Sequence, residues 1–287
     1  MKPLEKLWWR LKQKLAREIG SPLDFLRVWL LMAGVRLGLW KTGCEGLELS
    51  VVTCVRNRCG LREENCLASL MRQSLPRSCY EVIVVDYGSR EPGRVKEMVK
   101  AAGPGARYVF VDAKGEFNNP RAKNLGLQVA KGKKVVFTNF DIVFEKNALE
   151  AALLALRNSP RIFVEIRRFD LPEELIEGAD LVNAYEAATR LPGVSLNQTA
   201  SDVQAIDAEE MRRTFNGFDE AFEGWGGWDT DLRLRAVNAG FRCLNLFPLA
   251  SVIHEGHQSL GEVHGLHYRK NRDYLESKPL NAVKANP

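Results

Sequence analysis

Three short stretches of this chain combine residue types that could do chemistry. The first is Asp86-Tyr87-Gly88-Ser89, directly after an apolar β-branched run. A carboxylate there can accept hydrogen bonds from a ribose or a base, although an Asp-Gly turn needs no ligand to explain it. The second is Thr138-Asn139-Phe140-Asp141. A carboxylate with a polar partner two residues earlier can hold a divalent cation against a diphosphate, since Mg²⁺ and Mn²⁺ favour oxygen ligands shared with phosphate. A helix cap or turn would use the same residues. The third runs from Gly217 to Leu232 and carries four glycines and two tryptophans among acids. Tryptophan faces suit sugars, and glycines let backbone approach a ligand closely. Asp229 in this stretch opens a helix, where it caps the helix or acts as a general base.

The elements that must position these residues alternate. Leu47 to Val55 is an apolar β-rich run and Leu61 to Gln73 is helical. Strands follow at Glu81 to Asp86, Arg107 to Asp112 and Lys134 to Phe140. Helices over Val95 to Ala102, Pro120 to Lys131 and Glu145 to Asn158 separate or follow them. This order predicts a mainly parallel sheet with helices on both faces. Ligands bind such sheets beyond the carboxyl ends of the strands, where Arg56-Asn57-Arg58, Asp86, Asp112 and Asp141 fall. Farther on, the pattern predicts a helix over Pro172 to Thr189, a strand at Val203 to Ile206, and helices at Ala208 to Arg213 and Asp229 to Asn238.

The chain has 287 residues and a formal charge of +5. Residues 1–45 hold nine Lys/Arg against four Asp/Glu, so the remainder is close to neutral. A nucleic-acid enzyme normally carries its basic surface on the folded body, so none is expected as partner. Leu4, Leu7, Trp8, Leu11 and Leu15 recur at helical spacing among Lys6, Arg10, Lys12, Lys14 and Arg17. This is the pattern of a basic amphipathic helix that lies in a membrane interface and prefers anionic lipid. Gly20-Ser21-Pro22 breaks it, and an apolar segment with arginines runs from Leu23 to Trp40. A helical pair packed on the body, or forming a homodimer, fits residues 1–40 equally well. No secretory signal and no bilayer-length apolar run is apparent. The six cysteines form no CxxC pair and predict reduced thiols in a cytosolic compartment. The four histidines, His254, His257, His264 and His267, lie within fourteen residues, at a spacing matching no zinc motif.

Taken together, Leu47 to Lys278 resembles the inverting GT-A glycosyltransferases of family 2. The carboxyl half looks like the GWGxEDxDL region of galactosyltransferase- and chondroitin-polymerase-like enzymes. The Ser50–Arg58 run aligns with that family's first strand and nucleotide-contacting loop. Arg121-Ala122-Lys123-Asn124-Leu125-Gly126 looks like its diphosphate-facing helix start, and Asn139-Phe140-Asp141 takes the DxD position. The resemblance implies a mainly parallel, Rossmann-like GT-A domain over 46–287, with 1–45 as a helical extension. It implies donor contacts from Thr53, Val55, Arg56, Asp86, Arg121, Lys123 and Asn139. Acceptor or sugar contacts would come from Trp225, Gly226, Trp228 and Asp231. Asp229 would be the catalytic base. Asp141 and His254 would hold Mn²⁺ or Mg²⁺, with Asn139 near them, while His257, His264 and His267 are expected at the mouth of the site or in solvent. Four positions depart from the family pattern: Asn139 replaces a DxD carboxylate, Lys123 an arginine, Trp228 an acid and Arg56 a tyrosine.

The implied reaction moves a sugar from a nucleotide-sugar, with a UDP-sugar expected, to a hydroxyl of a glycan or lipid-linked acceptor with inversion. Surface-polysaccharide synthesis and a cytoplasmic, peripheral inner-membrane location are the matching expectations. A non-catalytic sugar- or nucleotide-binding module, a nucleotidyltransferase and a retaining transferase are the competing readings. Cys54 to Gly60 is not the glycine-rich phosphate loop that a nucleotidyltransferase would show.

Overall fold

In a computed structural model, residues 11, 21–197, 202–224, 226–257 and 262–285 are described, without the side chains of 262–264. Seven strands make the main sheet: β1 (Leu49–Val55), β2 (Tyr80–Tyr87), β3 (Ala106–Val111), β4 (Lys134–Phe137), β6 (Ile162–Ile166), β9 (Val203–Asp207) and β10 (Arg242–Asn245), in the order β10-β6-β9-β4-β1-β2-β3. β1 pairs in parallel with β2 and with β4, so Val52 lies between Ile83 and Phe137. β9 alone runs against its neighbours, with Ala205 opposite both Val136 of β4 and Val164 of β6. A second sheet of order β5-β11-β7-β8 comprises β5 (Ile142–Phe144), β7 (Arg168–Leu171), β8 (Ser195–Asn197) and β11 (Val252–Glu255).

Every residue of β1 and β2 is buried, as a strand covered on both faces requires. Successive residues of β1 serve different cores, because side chains alternate across a strand. Val51 and Val55 join one core with Val82, Val136 and Leu153, whereas Val52 and Cys54 join another with Ile83, Phe137 and Phe218. The helices are α1 (Pro22–Arg36), α2 (Leu61–Met71), α3 (Pro92–Ala101), α4 (Asn119–Val129), α5 (Ala148–Asn158), α6 (Tyr185–Ala188), α7 (Ala208–Arg213), α8 (Trp228–Asn238) and α9 (Glu262–Ser277). α4 can lie close to β1 because Gly126 has no side chain: a Cβ there would meet Val52 Cγ1 at 2.3 Å.

α1 is anchored to the body by one face. Val28 and Met32 are fully buried beside α5, and Asp24 accepts hydrogen bonds from Ser159 Oγ and Arg242 Nε, both at 2.7 Å. Burial alone would raise the Asp24 carboxyl, but hydrogen bonds with Arg242, Ser21 and Ser159 outweigh it and hold the group well below the usual carboxylate range. The amphipathic pattern over residues 4–17 lies outside the described residues, apart from Leu11.

Two expectations are corrected. Residues 172–189 do not form one helix. A short 3₁₀ turn at Glu173–Leu175 and the four-residue α6 replace it, because the apolar side chains Leu175, Ile176, Leu181 and Tyr185 are packed irregularly against β11 and β5 rather than along one helical face. The cysteines are not all reduced either: Cys44 and Cys79 form a disulfide, joining the segment before β1 to the turn before β2. Cys54, Cys66 and Cys243 are buried free thiols.

Candidate active site

A cleft of about 850 Å³ opens beyond the carboxyl ends of β1 and β4. Its walls are the 54–60 loop, residues 115–117 with Asn119, the Asn139–Asp141 turn, Gly224, His257 and His267. Arg56, Arg58, Arg62 and Arg94 all line it, a concentration of positive charge suited to a polyanion.

β4 ends at Phe137 and β5 begins at Ile142, so Asp141 sits in the turn where the chain leaves the main sheet for the small one. Antiparallel pairing of β5 with β11 sets His254 opposite Ile142, next to Asp141. Parallel pairing of β11 with β7 sets His254 opposite Asp170. Asp170 Oδ1 lies 3.4 Å from His254 Nδ1. A carboxylate behind a histidine in this way fixes its ring orientation and leaves the other nitrogen for a ligand. His257 brings Nε2 to 3.6 Å from Asp141 Oδ2. One ligand atom from each of Asp141, His254 and His257 falls within 4.8 Å of the others. Asp141 Oδ1 is buried and has no hydrogen-bond partner, so the group has coordination capacity in hand. A carboxylate with two imidazoles fits Mn²⁺ better than Mg²⁺. Sequence reasoning placed His257 only at the mouth of the site. The x2 spacing after a strand-end histidine was the signal that could have found it.

The surroundings of Asp141 are strongly charged. Arg58 Nη1 lies 3.3 Å from its Oδ2. Glu255 is fully buried, and burial, then the nearby Asp141 charge, pushes its carboxyl up to about 8; the hydrogen bond from Asn65 Nδ2 opposes this. Neither Arg58 nor Glu255 was singled out in the sequence as a partner of Asp141.

Asn139 does not point its oxygen at a cation. Oδ1 accepts from Lys123 Nζ at 3.1 Å and Asn119 Nδ2 at 3.3 Å, while Nδ2 donates to Asp202 at 3.0 Å. Asp202 in turn pairs with Arg168, which also holds Asp170 at 2.7 Å. A polar chain therefore runs from Lys123 through Asn139, Asp202, Arg168 and Asp170 to His254.

Asp229 occupies the first turn of α8, and its carbonyl accepts from Gln204 Nε2 at 2.9 Å. Burial raises its carboxyl above the usual range, with the positive charge of Arg233 opposing. Arg233 is itself committed to both oxygens of Glu165 at 2.9 Å. The helix can start here because Gly227, at φ 89°, takes a left-handed conformation that other residues resist.

The other expected contact residues differ in burial and in whether they line the cleft. Thr53 is fully buried in β1, away from the cleft lining; Val55 and Arg56 do line it. Asp86 is fully buried, with Oδ1 accepting from Ser89 N and Oδ2 from Tyr108 Oη, so it ties the turn after β2. Lys123 is fully buried with Nζ 3.6 Å from the centroid of Trp228, and burial lowers its ammonium to about 8. It supports the Asn139 turn from below and is not part of the cleft wall. Arg121 is exposed, outside the lining, and faces Glu220 at 3.9 Å. Trp228 is buried edge-on against Phe218. Asp231 is buried between Arg235 at 2.7 Å and Lys278 at 2.6 Å, which fixes it as a structural ion pair. The Gly226 carbonyl accepts from Asn271 Nδ2 at 3.0 Å. Trp225 lies outside the described residues, as does the side chain of His264; His267 lines the cleft.

Residues 50–201 match the family described as Glycosyl transferase family 2, and residues 195–258 match the N-terminal domain of galactosyltransferase. A search of curated proteins gives no match. Among solved structures, the mannosyltransferase PcManGT from Pyrobaculum calidifontis, in complex with GDP-Man and Mn²⁺, is similar at a TM-score of 0.55 and 17% identity, covering 89% of this chain and 72% of that one. The likeness shows a shared GT-A, Rossmann-like fold, in line with the expected α/β class.

Proposed function

The chain belongs to glycosyl transferase family 2 and is a glycosyltransferase, and from that premise we propose that the 850 Å³ cleft takes a nucleotide-sugar with a divalent cation and transfers the sugar with inversion to a hydroxyl acceptor. The observation that carries this reading is the convergence of Asp141, His254 and His257 beside four arginines, with a buried Asp141 oxygen lacking any partner. A cation held by these three residues supplies Lewis-acid stabilisation of the leaving diphosphate. Arg56, Arg58, Arg62 and Arg94 add positive charge along the same wall, where preorganised charge lowers the barrier most. Asp229 takes the proton from the acceptor hydroxyl while that oxygen bonds to the anomeric carbon. The bond from that carbon to the diphosphate oxygen breaks in the same step, and the nucleoside diphosphate leaves with the electron pair. A carboxyl raised by burial suits a base working near neutral pH.

The donor read from the family resemblance is a UDP-sugar, and the acceptor a glycan or lipid-linked glycan. PcManGT was solved with GDP-Man, so UDP and GDP are the two nucleotides to compare. Residues 46–287 act as the catalytic unit. Calorimetric titration with UDP and with GDP, each with and without Mn²⁺, tests the donor site: Mn²⁺-dependent binding of one of them is expected, and binding of neither removes the reading. NMR of the product's anomeric configuration tests inversion. Asp229→Asn is expected to lower turnover by about 10²–10⁴-fold with donor affinity kept. In the wild type, activity is expected to fall as pH drops through the raised Asp229 value, because the base must be unprotonated.

A further inference from the structure

α1 is apolar on two faces, and only one of them is covered. Val28 and Met32 pack on the body, but Leu23, Leu26, Trp29 and Leu30 project outward. Leu23, Leu26 and Leu30 fall at i, i+3 and i+7, one stripe along the helix, with Trp29 beside it. The chain then folds back over the end of the helix: Leu39 N donates to Gly34 O at 2.9 Å, and the Trp40 ring sits where a Gly34 Cβ would be, 2.0 Å from Cζ2. That turn adds Leu37 and Leu39, 74% and 67% exposed, and half of Trp40 to the same end. Seven of the twelve strongly exposed large apolar side chains among the described residues therefore lie between Leu23 and Trp40. Single exposed leucines are ordinary, whereas such a concentration marks an interaction surface. A helix apolar all round is normally buried all round.

Charge decides what covers it. Arg27, Arg36 and Lys41 are exposed in this region. The sole acid between residues 21 and 43 is Asp24, which is buried, bonded to Arg242 and Ser159, and 3.8 Å from Arg27, so Arg36 and Lys41 have no acid partner within this segment. The twenty residues before the helix add six Lys/Arg against two Glu. Docking two copies through this face would set cation against cation, which disfavours self-association. Leucines at the centre, tryptophans at the side and an excess of cations around them fit the boundary of an anionic bilayer. No described helix is long and apolar enough to cross a membrane.

We propose that the outer face of α1, with the turn through Trp40, is a docking surface for anionic lipid, and that it seats the protein on the surface of a bilayer. The inference is independent of the reaction in the cleft. The test uses the full chain, with co-sedimentation on vesicles of phosphatidylcholine alone and of equimolar phosphatidylcholine and phosphatidylglycerol. Wild type is expected to bind the mixed vesicles and to be released by salt. Leu26→Glu with Leu30→Glu, both exposed and outside the core, is expected to weaken that binding more than tenfold while leaving the melting temperature and soluble donor hydrolysis unchanged. Arg27→Gln with Arg36→Gln is expected to weaken it several-fold. Equal vesicle binding by the Leu26/Leu30 variant and wild type overturns the proposal. So does wild-type binding to neither vesicle, with a dimer that the same variant dissolves; the face is then a contact between copies. Loss of donor hydrolysis in wild type would overturn the transfer reaction and leave this result standing.

Discussion

Arg58 sits where a cation would be expected to act. Its guanidinium lies 3.3 Å from Asp141 Oδ2, the oxygen that His257 also approaches. A guanidinium and a dication beside one carboxylate repel each other, and the effect is strong at a partly buried site. Arg58→Gln removes the charge and leaves a shorter polar side chain. It is expected to bind Mn²⁺ alone several-fold more tightly than wild type, by calorimetry or by Mn²⁺ EPR, and to bind nucleotide in saturating Mn²⁺ more weakly. Unchanged Mn²⁺ affinity would mean that Arg58 and the cation do not compete. At this scale the sequence was legible in part. Asp141 and His254 fall together because β5 and β11 pair, two short strands that the sequence pattern did not predict; their grouping there rested on the family resemblance. The packing of Trp228 and Asp231 was not legible, because tryptophan and aspartate serve an aromatic core and a buried ion pair as readily as a sugar. One partner of Asp231, Arg235, lies one helical turn away, but the other, Lys278, is almost fifty residues away.

At the scale of elements, packing sets the tolerances. Gly126→Ala on α4 would place a methyl 2.3 Å from Val52 Cγ1 and 3.2 Å from Val85 Cγ2. Overpacking of this kind costs about 1–3 kcal/mol, which urea unfolding would register as a lower midpoint with an unchanged slope. The anchor of α1 carries a pH signature. The Asp24 carboxyl is held below its unfolded value, so its contribution is complete above about pH 4 and is lost as pH falls below that. Asp24→Asn is expected to destabilise the protein by about 1–3 kcal/mol at neutral pH and to flatten that acid dependence. β1 to β4, β9 and most helices were legible because alternation and β-branched runs report burial directly, whereas the short strands β5, β6, β7, β8, β10 and β11 carried no such pattern and were not predicted. The stretch 172–189 was not, since its apolar residues serve a small satellite core around Val143 and Ile253 and follow no single period. β9 was visible as a strand, but its antiparallel direction was not, because direction depends on where the chain re-enters the sheet.

For the whole molecule, the Cys44–Cys79 bridge is the one covalent constraint among the described residues. It closes a loop at a sequence separation of 35, for which chain entropy gives about 4 kcal/mol. Cys44→Ser with Cys79→Ser is expected to lower the melting temperature, and reduction of wild type should do the same; equal melting would mean that the bridge is not formed in solution. The parallel core was predictable from the βαβ order, whereas this bridge was not, because the two cysteines meet only once β1 and β2 have paired.

β9 also limits how this protein can be assembled. It is the single strand joining β4 to β6, and it is contributed by residues 203–207. Until the ribosome has released them, the strands made earlier form two fragments with an open edge on each side of the gap, and β10 must still be added through β6. The sheet is therefore completed from its middle, late in synthesis, by contacts far apart in sequence, a topology that slows folding. A chain cut near residue 200 would keep nearly all of the family 2 match, yet leave β4 unpaired on one side and β6 on both, and aggregate. The segment that follows the match is a keystone, and exchanging it between relatives would have to preserve its fit to both neighbours at once.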